Sequence, residues 1–159
     1  MRIGHGYDVH AFGEGEGIIL GGISIPFKRS LIAHSDGDVL THALIDGILG
    51  ALALGDIGHH FPDSSDKYLD CSSLDLLSDV AGMMTKEGYS LGNADLTIVA
   101  QGPKMAPHIP AMRQRLSSLL RCDIAQLNIK ATTSEWLGFT GREEGIACHS
   151  SILLKPIEL

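Results

Sequence analysis

The run from Asp38 to Leu54 constrains this chain more than any other stretch. Val39, Leu40, Ala43, Leu44, Ile48, Leu49 and Leu52 recur near i, i+3 and i+4, which predicts a helix with a broad apolar face. Ser35, Asp36 and Asp38 offer capping oxygens at its start, and Gly55 stands just past its end. A helix this apolar needs a sheet or other helices to cover it, and strand patterns lie on both sides of it. Gly6-Tyr7-Asp8-Val9-His10 reads as a first strand. Ile18-Ile19-Leu20, Gly21-Gly22 and Ile23-Ser24-Ile25 read as a hairpin with a two-residue glycine turn, ended by Pro26. Further on, the pattern predicts a helix over 73–87 with Gly88 as its stop, a strand over 94–101 and a helix over 109–120 with Pro110 in its first turn. A strand over 127–131, a long loop over 132–145 and a last strand over 146–154 follow. Strands interleaved with helices give an α/β (α+β) layered sandwich: one mixed β-sheet covered by about three helices, in a single domain over 1–159.

At 159 residues the chain is long enough to bury a core without disulfide staples. Cys71, Cys122 and Cys148 are odd in number and form no C-x-x-C, which fits a reducing, cytoplasmic setting. No signal peptide is expected, because Arg2 is followed by glycine, histidine and aspartate rather than an apolar run. No apolar stretch reaches the ~20 residues of a membrane span. The net charge of −7 argues against nucleic acid or an anionic membrane as partner. An anionic substrate would therefore need metals, lysine and backbone amides around it. The charged share of 19% lies below the usual ~25% and points to surface covered by a partner subunit.

Chemistry collects first at Asp8 and His10. Alternation along a strand puts both on one face, with Tyr7 and Val9 on the other. A carboxylate and an imidazole side by side are half of a metal site. His42, on the central helix, is the best candidate to complete it as a zinc site with an open fourth position. Asp38 and Asp46 lie one turn to either side of His42 on the same face. A metal-bound histidine usually gives its other nitrogen to a carboxylate, and helix geometry favours Asp46 for that role, because Asp38 is already useful as a cap. The plainer reading of these residues is a solvated polar face with i, i+4 pairs. His34 and Ser35, before the helix start, suit a phosphate, as do Lys104 in Gly102-Pro103-Lys104-Met105 and the hydroxyls of Thr132-Thr133-Ser134. Glu135 beside them suits magnesium. Each of these loops also reads simply as solvated. His5, His59, His60, His108 and His149 read as structural or surface residues, with His59 and His60 the first exceptions to consider, and Cys148 reads as core. No Ser-His-Asp or Cys-His arrangement and no phosphate-loop motif is present.

The segments GHGYDVHAF, AHSDGDVLTHALIDGILGALALGDIG, HFPD, PKMAPHIPAMR, IKATT and GFTGREEGIA, in this order over nearly the whole chain, resemble the 2-C-methyl-D-erythritol 2,4-cyclodiphosphate synthase family of the non-mevalonate isoprenoid pathway. The resemblance implies a cytoplasmic homotrimer with active sites at subunit junctions. It implies conversion of 4-diphosphocytidyl-2-C-methyl-D-erythritol 2-phosphate to the cyclic 2,4-diphosphate with release of CMP, a phosphorus–oxygen lyase reaction. It makes Asp8, His10 and His42 the ligands of one zinc per chain, with the substrate's diphosphate at the open position. Glu135 becomes the ligand of a second ion, magnesium or manganese. His34 and Thr133 are implied as catalytic, and His34 and Ser35 hold the substrate phosphate. Asp56, Ile57 and Gly58 would meet the erythritol hydroxyls, and Phe61, Pro62, Asp63, Ser64 and Ser65 form a closing loop. Ala100, Gln101, Gly102, Pro103, Lys104, Met105 and Ala106, with Ala131, Thr132, Thr133 and Ser134, make a cytidine pocket. Phe139 and Arg142 would sit at the mouth of a cavity on the trimer axis, which could take an isoprenoid diphosphate. The chain departs from the family locally: Ser64-Ser65-Asp66 and Leu69-Asp70-Cys71 replace commoner runs, Trp136 replaces glycine or lysine, and Glu143 replaces glycine.

Two other functions use the same residues. A zinc-dependent phosphohydrolase would use zinc-bound water as nucleophile. A non-catalytic zinc-binding oligomer would only store the ion, and would have no use for Lys104 with Thr132 and Thr133.

Overall fold

The computed structural model describes residues 1–62 and 71–157. The strands are β1 (Arg2–Gly13), β2 (Ile18–Leu20), β3 (Ile23–Ile25), β4 (Ser30–Leu31), β5 (Tyr89–Val99), β6 (Leu127–Thr132) and β7 (Gly145–Pro156). The helices are α1 (Val39–Leu52), α2 (Ile57–His60), α3 (Ser73–Lys86), α4 (Ile109–Leu120) and α5 (Gly138–Gly141), with a 3-10 turn at Ile124–Gln126. One sheet runs β4-β1-β7-β5-β6, and β2-β3 form a separate ribbon. β5 and β6 are parallel, joined through α4, and the other pairings are antiparallel. The expected mixed sheet with three covering helices is what forms. α1 lies over β1 and β7, α3 against α1 and β5, and α4 beside α3 and β6.

Glycine decides how closely α1 can lie on the sheet. A Cβ on Gly4 would stand 2.0 Å from the Gly47 carbonyl oxygen, and one on Gly6 would stand 1.9 Å from that of Ala43. On the helix side, a Cβ at Gly47 would meet Ser150 Oγ at 2.5 Å. Helix backbone and strand backbone are therefore in direct contact, and Ser150 Oγ donates to the Ala43 carbonyl at 2.6 Å across the same junction. Leu40, Leu44, Ile48 and Leu49 of α1 are fully buried with Leu96, Ile98 and Leu154 of the sheet. The β2-β3 turn is pinned to α1 as well: Gly21 and Gly22, both at positive φ as a two-residue hairpin turn requires, donate their N–H groups to the Asp38 carboxylate at 2.9 and 2.7 Å.

Only one face of the sheet is covered by these helices. On the other, Ile3 is 82% exposed, Tyr7 44% and Val9 41%, with His5, His149 and Lys130 exposed around them.

Several boundaries differ from the sequence expectation. α1 stops at Leu52, two residues early. Its left-handed cap is Ala53 (φ 58°), whose N–H bonds back to Gly50, so Gly55 is not the stop. β5 begins at Tyr89 rather than Ala94, because a register shift between Leu91 and Asn93 interrupts the alternation that marks a strand. α2 and α5 are four-residue helices in segments that read as loops.

The close helix–strand contact sets a stability expectation. Gly6→Ala must push α1 off β1, since the obstacle is a backbone carbonyl, and should cost at least about 3 kcal/mol. Gly82→Ala on α3 meets nothing within 4 Å and should stabilise by about 0.4–1 kcal/mol. Urea unfolding of both variants beside the parent checks the pair; equal effects would remove the glycine contact as the constraint.

Candidate metal centre

β1 carries its even-numbered residues toward α1. Gly4 and Gly6 make the close contact, and the next two positions on that face are Asp8 and His10. Since α1 runs along this face, His42 near its start arrives opposite Asp8. His42 Nδ1 lies 3.1 Å from Asp8 Oδ2, His10 Nε2 lies 3.0 Å from the same oxygen, and the two ring nitrogens are 3.1 Å apart. The three form the one His/Cys/Asp/Glu cluster among the described residues with donor atoms close enough together to hold a metal ion.

The donor set fits zinc. A tetrahedral ion bound at about 2.0–2.2 Å holds its donors roughly 3.3–3.6 Å apart, a small expansion of this triangle. His10 Nδ1 lies 3.1 Å from the Ile32 carbonyl oxygen. Only an N–H can satisfy that contact, so a neutral His10 turns the Nε2 lone pair toward Asp8. The cluster attracts positive charge. Burial works against the Asp8 carboxylate, yet the hydrogen bonds and charge of His10 and His42 outweigh it and hold its pKa at about 2. Burial also works against a charged His10, and Asp8 with the Ile32 carbonyl overcomes it and raises the imidazole's pKa.

The cluster opens into a cavity of about 440 Å3. His34 and Ser35 line it from the segment before α1, Ile57, Gly58 and Phe61 from around α2, and Ile32, Cys71 and Leu76 complete it. Asp56 caps α2 by accepting the His59 N–H at 2.9 Å. Pro62 is exposed beside Phe61. Asp63, Ser64 and Ser65 lie outside the described residues.

The second group of expected site residues sits elsewhere in the chain. Ala100 to Ala106 follow β5, Ala131 to Glu135 span the end of β6 and the loop after it, and a parallel pair delivers both to the same sheet end. Gln101 ties them together by accepting the Ser134 N–H at 3.1 Å, and the Ala100 N–H reaches the Thr132 carbonyl at 3.0 Å. Thr133 Oγ1 donates to Glu135 at 3.1 Å. Lys104 is exposed. None of these residues lines the cavity beside Asp8 within one chain. Phe139 is half-exposed near exposed Trp136 and Leu137, and Arg142 pairs with Glu144 at 2.8 Å. Trp136 (φ 65°) and Glu143 (φ 55°) both adopt the left-handed conformation that glycine reaches at no steric cost. Arg29 holds Glu143 there, donating to its carbonyl at 2.8 Å and its carboxylate at 3.2 Å.

The expectation for the aspartates on α1 needs correcting. Asp46 does not take the second nitrogen of His42. Its carboxylate accepts the Ile57 N–H at 2.8 Å and so ties α2 to α1. Asp38 is fully buried and committed to Thr41, Gly21 and Gly22. Burial pushes its carboxyl above the ordinary value despite these donors. The i, i+4 spacing put the right face forward, but both carboxylates satisfy backbone amides first. His42 Nε2 instead meets Ser73 Oγ at 2.8 Å and Ser35 Oγ at 3.3 Å. Ser73 belongs to α3, 31 residues away, and no local spacing could have announced it.

The YgbB family model matches residues 1–155. A 2-C-methyl-D-erythritol 2,4-cyclodiphosphate synthase of Ectopseudomonas mendocina (strain ymp) is 60% identical over 154 residues, 97% of this chain and 98% of that protein. The synthase of Vibrio vulnificus (strain YJ016) is 58% identical over 155 residues, again 97% and 98%. Among solved structures, the IspF–CDP complex of Plasmodium falciparum superposes with a TM-score of 0.87 at 35% identity, covering 99% of this chain and 97% of that one. The bifunctional IspDF from Campylobacter jejuni gives a TM-score of 0.95 at 43% identity and covers 99% of this chain. This chain spans only 42% of that protein's length. With residues 1–155 matched by the family model and its fold shared with these structures, the chain belongs to the YgbB family.

Proposed function

We propose that this chain converts 4-diphosphocytidyl-2-C-methyl-D-erythritol 2-phosphate to 2-C-methyl-D-erythritol 2,4-cyclodiphosphate and CMP, as a phosphorus–oxygen lyase of non-mevalonate isoprenoid synthesis working in the cytoplasm as one catalytic domain. The observation that carries this is the convergence of Asp8 Oδ2, His10 Nε2 and His42 Nδ1 at the floor of a cavity, in a chain matched over nearly its whole length by synthases of that name.

The reaction is internal: an oxygen of the 2-phosphate attacks the diphosphate phosphorus that carries CMP, and the bond to CMP breaks. The protein must fold the substrate back on itself and offset charge; it need not supply a nucleophile. Asp8, His10 and His42 would hold zinc, and Glu135 a magnesium or manganese ion; such ions polarise phosphoryl oxygens and offset charge on the leaving group. His34 and Ser35 border the same cavity and bind the phosphate that attacks. Asp56, Ile57 and Gly58 sit where α2 begins and orient the erythritol. Thr133 stands beside Glu135, its hydroxyl available to the diphosphate. The loops 100–106 and 131–135 hold the cytidine, with Lys104 supplying a cation to the phosphates. A phosphate-rich, net-negative ligand in a chain of charge −7 depends on these local groups.

The nucleotide loops and the metal cavity are separate within one chain, and one sheet face is bare and partly apolar. Both support a homotrimer in which one chain's cavity meets a neighbour's loops. An exposed sheet face bearing Ile3, Tyr7 and Val9 is what a partner covers. Phe139 and Arg142 would then stand near the axis, where an isoprenoid diphosphate could bind. Among the described residues no helix is long and apolar enough to cross a membrane.

Phosphorus NMR on the purified protein with the cytidyl substrate should show CMP and a cyclic diphosphate. Free phosphate would indicate a hydrolase, and no turnover a storage role. Treatment with a zinc chelator should abolish the signal and added zinc restore it, while His42→Ala should lose the tightly held zinc. Shared sites make a second prediction. Chains carrying His42→Ala and chains carrying Lys104→Ala, each inactive alone, should regain activity when mixed, because some junctions then receive two intact halves. Verified mixed oligomers without activity would refute the sharing.

A further inference from the structure

Zinc, in the reading just given, takes one nitrogen of His42. The other nitrogen faces a hydrogen-bonded pair, buried Ser73 and half-buried Asp36, that the reaction does not use. Ser73, the first residue of α3, is fully buried, and its Oγ lies 2.8 Å from His42 Nε2. The same hydroxyl is hydrogen-bonded to Asp36 Oδ1, and Asp36 Oδ2 accepts the Ser73 N–H at 3.0 Å. Asp36 Oδ1 also accepts the Asp38 N–H at 3.2 Å, which ties the pair to the start of α1.

The direction of each bond follows from what each group can offer. A carboxylate presents acceptors only, so the Ser73 hydroxyl spends its single proton on Asp36. What it turns toward His42 is a lone pair. His42 Nε2 must then carry a hydrogen and donate it, and in the neutral ring that binds a metal this leaves Nδ1 bare. Nδ1 is the nitrogen 3.1 Å from Asp8 Oδ2 and 3.1 Å from His10 Nε2. We propose that Ser73 and Asp36 act as positioning residues that fix the His42 tautomer and aim its Nδ1 lone pair at the zinc site. The inference rests on the zinc reading of Asp8, His10 and His42. Ser35 Oγ, at 3.3 Å from the same Nε2 and 3.4 Å from the Gly37 amide nitrogen, is the more distant contact and leaves the role to Ser73. For His10 the Ile32 carbonyl does the same work from the other side, so each ring is held by an acceptor behind it. A partner behind a ligand imidazole fixes its orientation and raises its basicity, and losing such a partner typically costs 10–100-fold in metal affinity.

Two measurements test this. Nitrogen-15 NMR of the histidine rings in the zinc-loaded protein should show zinc on His42 Nδ1 and a slowly exchanging hydrogen on Nε2 in the parent, and faster exchange of that hydrogen in Ser73→Ala. Competition with a chelator should show zinc bound about 10–100-fold more weakly by Ser73→Ala, with Ser73→Thr, which keeps the hydroxyl, restoring most of the loss. Ser72 still caps α3 through the Leu74 N–H, so circular dichroism of Ser73→Ala should match the parent. A parent His42 that binds zinc through Nε2 overturns the proposal, and does so even if the variants fail to fold. Zinc affinity unchanged in Ser73→Ala overturns it while leaving the zinc reading intact, whereas a parent chain that takes up no zinc overturns both.

Discussion

Direct backbone contact between α1 and β1 is the constraint on which the rest depends. Helices normally rest on sheets through a layer of side chains, but here Gly4, Gly6 and Gly47 remove that layer. The helix is lowered until its carbonyls touch the strand, and its other sides are closed by α3 and by Asp38 holding the β2-β3 turn. Once the axis is set at that height, the residues following the glycines on the same strand face must meet the start of the helix. Asp8, His10 and His42 are those residues. The site is the continuation of the packing interface, with ligands where the glycines leave off.

The placement also explains the electrostatics. Near solvent, Asp8 would be an ordinary carboxylate. Partly buried between two imidazoles, it stays ionised down to about 2, because the rings stabilise its charge more than burial penalises it. His10 gains in the opposite sense from the same contact. A carboxylate that resists protonation, beside rings oriented by acceptors behind them, favours cations without any flexible side chain having to move into place.

Much of this was legible in the chain, and the failures share a cause. The Val39–Leu52 helix, the glycine hairpin and the mixed sheet follow from periodicity and turn chemistry, which are local. Asp8 with His10 follows from strand alternation, and His42 from its place on the one strongly apolar helix. Asp46 was misassigned because helix geometry says which residues share a face and nothing about the amide of Ile57, which arrives from a turn eleven residues on. Ser73 went unnoticed for the same reason in reverse: its importance comes from α3 docking against α1, and alone it reads as one polar residue at a helix start. The start of β5 was missed at Gly92 and Asn93, where the register shift breaks the alternation. Contacts made across tens of residues leave no period in the sequence.

The bare face of the sheet changes which positions are free to vary. In a lone chain, Ile3, Tyr7 and Val9 would be surface residues, and drift there would go unpunished by the chain's own stability. In a symmetric assembly each of them recurs in every chain, so one substitution is felt at every junction at once and no single chain can compensate alone. Selection would then act on this face of the strand through its neighbours, while the other face, where Gly4 and Gly6 leave no room for a side chain beneath the helix carbonyls, is policed by its own fold. A single strand would thus answer to two different judges, alternating residue by residue.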